Sequence, residues 1–231
     1  MSAASDGEWL DIEGQIQYGY YTEDLRALTN LTVRLDSKEG SDPLRAYYAA
    51  LAYYRLALIV EERDGTRASD ALEHCVASLT GVLQTRAEWA EVLALDGACL
   101  GSLAELKPLR APFAGPKSRS QLAHAVQLEP HNPRVLMLEG SVEYERARGA
   151  GRTAKERGCD TLKRAVSAFE AARPGEEHVP EWGTAEGYAF WGRCELDRGE
   201  AVAARDALER ALLIAPDFAL ARRLIARITA G

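Results

Sequence analysis

Tyr188-Ala-Phe-Trp-Gly192-Arg-Cys194-Glu-Leu-Asp-Arg-Gly199-Glu-Ala-Val-Ala-Ala204-Arg-Asp-Ala-Leu208-Glu-Arg-Ala211-Leu-Leu-Ile-Ala-Pro216 encodes two helices and a turn. Aromatic and small residues alternate up to Gly192, where a helix with no side chain lets a partner cross closely. Gly199 supplies a turn. Ala204, Leu208 and Ala211 return at three- and four-residue spacing, so they share one face of a second helix. Pro216 then stops it. A hairpin of this kind cannot bury its apolar face alone and has to be stacked on others.

The same small residue recurs upstream. Ala50, Gly97, Gly140 and Gly192 align, separated by 47, 43 and 52 residues. Apolar residues keep helical spacing throughout, and no period-two run is long enough for a strand. Helix starts carry readable caps. Thr22 precedes Glu23 and Asp24, Thr85-Arg-Ala-Glu88 has capping-box spacing, and Asp42-Pro43 and Asn132-Pro133 each set a cap before a first-turn proline. The pattern predicts about eleven helices, roughly 8–19, 22–37, 43–62, 67–84, 87–104, 117–128, 133–147, 157–172, 181–198, 200–214 and 217–229. The last carries Arg222, Arg223 and Arg227 on one side, a wet face suited to ending a stack.

The quoted stretch resembles a tetratricopeptide repeat almost position by position. Most of residues 40–231 is similar to bacterial proteins of that type. The Tyr-rich segment Tyr47–Ala57, the run Leu128–Gly140 and the Ala165/Phe169 pair carry the likeness beyond the final repeat. The usual period is about 34 residues, so each unit here is lengthened. The excess is expected in Glu61–Thr66, Leu106–Lys117, Gly149–Gly158 and Arg173–Pro180. Asp96 and Glu139 stand where the repeat has a large apolar residue. The resemblance implies an all-α solenoid of about five helical hairpins with a C-terminal capping helix. It is read as one domain over 1–231, with 1–40 an acidic amino-terminal hairpin.

Composition sets outer bounds. The chain has 231 residues, 47% of them hydrophobic and 27% charged, with a net charge of −7, as in ordinary globular proteins. No apolar run reaches the roughly 18 residues of a membrane span. Met1–Trp9 has no basic and apolar leader pattern, so the sequence as it stands reads as cytoplasmic, and as periplasmic if a signal peptide once preceded it. Residues 1–43 are acidic and 146–164 basic, an asymmetry that solvates two surfaces or steers a partner. Overall acidity disfavours nucleic acid.

Residues with reactive side chains are sparse and scattered. Cys75, Cys99, Cys159 and Cys194 lack a C-x-x-C spacing. Cys99 and Cys194 both fall two residues after an aligned glycine, where other units have Ala52 and Val142, so they read as small apolar packing residues. These two lie too far apart in a stack to bridge each other. Cys159 follows a glycine and is expected in an exposed loop. His74, His124, His131 and His178 form no i, i+4 metal pair. No catalytic residue, metal or cofactor is expected, and the chain reads as non-enzymatic.

The repeat register marks the candidate contact surface. Seven of nine tyrosines lie within the first 54 residues. Tyr47, Leu51 and Tyr54 form a stripe at i, i+4, i+7 that the register turns towards a concave groove, with Tyr53 in the hairpin core. The stripe packs instead against the amino-terminal hairpin in the alternative. Arg134, Met137 and Tyr144, then Arg193, continue the groove, with Asp197 beside them. Too few cations are present for a clamp on a peptide carboxyl terminus, so a segment with an apolar or aromatic anchor and a charged end fits better. The expected function is a protein–protein adaptor binding a peptide or protein segment. Self-assembly through the acidic and basic segments, or service as an accessory subunit of an enzyme or transport complex, is the alternative.

Overall fold

In a computed structural model, residues 6–36, 42–147, 152–172 and 180–230 are described. Among them the regular elements are eleven helices: α1 (Asp6–Tyr21), α2 (Leu25–Asp36), α3 (Pro43–Val60), α4 (Gly65–Thr85), α5 (Ala90–Leu106), α6 (Ala111–Leu128), α7 (Pro133–Arg146), α8 (Arg152–Ala171), α9 (Thr184–Arg198), α10 (Ala201–Ile214) and α11 (Ala219–Ala230). Successive helices pair as hairpins, α1/α2, α3/α4, α5/α6, α7/α8 and α9/α10. The fold class is the all-α solenoid that the hairpin pattern predicts. The chain divides into two compact units, Met1–Pro130 with Gly175–Glu181, and His131–Pro174 with Trp182–Gly231. Among the described residues no helix is long and apolar enough to cross a membrane.

Four of the five hairpins close on a leucine seated over a glycine. A Cβ placed on Gly97 would lie 2.8 Å from Leu122 Cγ, on Gly140 2.9 Å from Leu162 Cγ, and on Gly192 2.8 Å from Leu208 Cγ. The aligned glycines are therefore the crossing points. Gly19 is the same device in α1/α2, with Leu28 Cγ at 2.9 Å. The α7/α8 crossing uses glycine on both sides, since a Cβ on Gly158 would fall 2.5 Å from the backbone nitrogen of Tyr144. Gly158 thus belongs to the helical contact and not to a loop, which corrects the assignment of Gly149–Gly158 as an insert; Gly149–Gly151 lie outside the described residues.

The Leu106–Lys117 insert is likewise mostly helix. α6 starts at Ala111 with Pro112 in its first turn and Pro116 inside. A first-turn proline loses no intrahelical bond. Asp42 accepts from the Leu44 N–H at 2.9 Å, and Asn132 from those of Arg134 and Val135 at 2.9 and 3.2 Å. Two expected caps are displaced. Thr85 ends α4 with its hydroxyl donating to the Val82 carbonyl, leaving Trp89 at the start of α5 without a side-chain cap. Asp24, not Thr22, caps α2, accepting from the N–H groups of Arg26 and Ala27. Gly199, at φ +83°, closes the α9–α10 turn in the left-handed region that glycine tolerates.

In the hairpins after α1/α2, the first helix is more buried than the second. α3 and α5 are buried nearly all round, whereas α4 buries one stripe. α11 ends the second unit with Ala221 and Leu224 buried and Arg222, Arg223 and Arg227 exposed. Asp96 and Glu91 are the buried charged residues of α5; Asp96 lies mid-helix. It is 1% exposed and accepts from Gln121 Nε2 at 2.9 Å, with Lys117 Nζ 3.9 Å away. Burial pushes its carboxyl above the usual range, and Gln121 and Lys117 only partly offset this.

Gly140→Ala should destabilise the protein by roughly 1–3 kcal/mol in urea titrations, because its Cβ meets the backbone of Leu162 and Gly158. Gly14→Ala, which meets nothing, should add about 0.5–1 kcal/mol. An acid whose folded pKa is raised favours folding only where it is protonated, and that support disappears as pH rises through the folded value. Asp96→Asn should therefore be more stable than wild type at pH 7, with the gap closing as pH is lowered.

Candidate binding site

The tyrosine stripe does not face an open groove. Tyr47, Leu51 and Tyr54 are all buried. The Tyr47 hydroxyl donates to Glu91 Oε2 at 3.1 Å, and its ring stacks on Trp89 with centroids 5.5 Å apart. Tyr48 stacks on Trp9 of α1 and donates to Glu13 at 2.9 Å. The Arg55 guanidinium lies 4.4 Å from the Tyr20 ring and 5.9 Å from that of Tyr54. The start of α5 covers Tyr47, and α1 also lies against α3, with Arg55 between the rings of Tyr20 and Tyr54. Tyr53 enters the α3/α4 core as predicted, stacking on His74 and donating to Asp36, and burial first, then Asp36, push its hydroxyl up to about 12.

In the second unit Arg134 and Met137 are also buried. Tyr144 and Arg193 are brought together. The Arg193 guanidinium sits 4.6 Å from the Tyr144 ring and pairs with Glu145. Arg193 keeps 22% of its side chain exposed. Tyr144 forms one wall of a pocket of about 480 Å³ between α7, α8 and α9. Lys155, Asp160, Asp197 and Arg198 form the charged sides, and the bonded Cys159 and Cys194 line it as well. Cys159 is buried within α8, which corrects its expected place in an exposed loop.

Asp197 organises this pocket. It accepts from the Tyr144 hydroxyl at 2.7 Å and from Lys155 Nζ at 2.8 Å. Burial disfavours its charge, but the bonds from Lys155 and Tyr144 outweigh that and hold its carboxyl below the usual range. Burial, and then the bond to Asp197, push the Tyr144 hydroxyl well above its ordinary value, so it keeps its proton. Arg198 bridges Asp160 at 2.8 Å and Glu195 at 2.9 Å. Lys155 with Asp197 and Arg198 with Asp160 are matched pairs, and the chemistry on offer is recognition by an aromatic face and exchangeable ion pairs.

Lys155, Asp160 and Arg198 were not singled out by sequence. Lys155 lay within the basic run 146–164, but its partner is 42 residues away and no local spacing announces it.

No family model matches this chain, and no curated protein matches it. Among solved structures it is similar to the HusA haemophore from Porphyromonas gingivalis, with a TM-score of 0.61 and 21% identity over 85% of this chain and 96% of that one. It is more distantly similar to an assembly chaperone of RpL4, Acl4, at TM-score 0.41 and 13% identity over 98% and 96%. The first likeness is one of helical fold.

Asp197→Asn should destabilise by about 0.5–1.5 kcal/mol at pH 7, as one hydrogen bond with partial exposure would. A depressed carboxyl contributes stability above its unfolded pKa and loses it as pH falls through the folded one. The difference from wild type in chemical denaturation should therefore shrink below about pH 4.

Proposed function

We propose that the protein is a non-catalytic binding module of the tetratricopeptide type, and that it grips a peptide or protein segment at the pocket over Tyr144. The single observation behind this is Asp197, held between Tyr144 and Lys155 at an opening of about 480 Å³. That volume suits a ligand pocket, which spans roughly 300–1,000 Å³. The segment carries an apolar or aromatic anchor for the Tyr144 wall and a charged group that exchanges with the Lys155–Asp197 or Arg198–Asp160 pair.

The test is selection from a displayed random-peptide library, followed by titration against wild type and Lys155→Ala/Arg198→Ala. Enriched peptides should share an anchor and a charge, and bind the folded variant about tenfold or more weakly. No enrichment, or equal binding by the variant, would overturn the proposal. HusA's designation as a haemophore makes a tetrapyrrole the rival cargo. A haemin titration whose Soret shift is lost in the same variant would transfer the pocket to that cargo.

A further inference from the structure

All four cysteines are bonded, Cys75 to Cys99 and Cys159 to Cys194. The two bridges occupy matching places. Each ties the second helix of one hairpin to the first helix of the next, α4 to α5 in one unit and α8 to α9 in the other. On the first-helix side the match is positional, because Cys99 and Cys194 both lie two residues beyond the crossing glycines Gly97 and Gly192. The Cα separations, 6.4 and 5.6 Å, fall in the range of about 4.4–6.8 Å that a disulfide spans. Each compact unit therefore has one bridge, set at one of its junctions between hairpins. Within four of the five hairpins a glycine–leucine crossing brings the helices together; at the α4/α5 and α8/α9 junctions the bridge does so covalently.

We infer that the oxidised chain is the working form, and that the protein operates in a compartment that maintains protein disulfides. Reducing compartments keep thiols free and structural disulfides rare there, which would leave both junctions unfastened. In forming each bridge, two thiols give up two protons and two electrons to the disulfide of a thiol–disulfide oxidase, which leaves as a dithiol after a mixed-disulfide step. All four sulfurs belong to buried residues, so the exchange takes place before the hairpins close over them.

The test uses the full chain produced in an oxidising compartment, denatured in iodoacetamide without reductant and mapped by mass spectrometry. No cysteine should alkylate, the mass should be four hydrogens below that of the thiol form, and the cross-linked peptides should be 75–99 and 159–194. Full reduction should lower Tm by roughly 5–15 °C per bridge. Cys75→Ala/Cys99→Ala and Cys159→Ala/Cys194→Ala should each show part of that loss. Alkylation of all four cysteines, a different pairing, or an unchanged Tm after verified reduction would overturn the inference. The mass map decides the pairing even if a variant does not fold.

Discussion

A leucine resting on a glycine backbone is the contact from which the rest of this molecule follows. Four of the five hairpins close this way, at Gly19, Gly97, Gly140 and Gly192. Without a Cβ the two helix axes approach until the leucine side chain meets backbone, and packing at interior density then fixes the angle between them. In the four hairpins after α1/α2, the second helix keeps one wet face, whereas the first is mostly buried. Ala50 holds the corresponding place in α3 and is fully buried.

Enclosure of the first helices decides what is left for recognition. Large polar side chains within those helices have to find partners where they lie, and the tyrosines of α3 do so. Tyr47 bonds to Glu91, Tyr48 to Glu13 and Tyr53 to Asp36. This also consumes much of the acidic amino-terminal segment. Glu13 and Asp36 serve buried tyrosines, while Asp24 and Asp42 cap helices. Lys155, from the basic run, is likewise held by Asp197. A charge asymmetry that looks like a steering field in the sequence is thus partly an inventory of internal bonds.

Helices were legible because their signals are local. Three- and four-residue spacing, Asp42-Pro43, Asn132-Pro133 and Gly199 each act within a turn or two. The glycine alignment was legible from Ala50 onward, but Gly19 lay outside the aromatic pattern that revealed the others. Gly158 was mistaken for loop because glycine suits both a loop and a close crossing, and only the opposing Tyr144 backbone distinguishes them. The stripe Tyr47, Leu51 and Tyr54 was correctly placed on one face. What covers Tyr47 is Trp89 and Glu91 at the start of α5, Glu91 being 44 residues further on, and spacing along a helix does not say what lies opposite. Cys99 and Cys194 were seen as equivalent, yet their partners sit on second helices at positions with no counterpart in the repeat. Tyr144 and Arg193 lie together, and Lys155 and Arg198 join Tyr144 at the pocket through tertiary contacts alone.

Tyrosine-directed chemical footprinting of the native oxidised protein, read residue by residue, distinguishes an enclosed α3 from an open groove. Tyr18, 60% exposed, should react readily, while Tyr47, Tyr48 and Tyr54 stay protected until the protein unfolds. Modification of Tyr47 and Tyr54 at a rate comparable to Tyr18 would contradict the enclosure. It would return recognition to the aromatic stripe and remove the reason for placing it at the Tyr144 pocket.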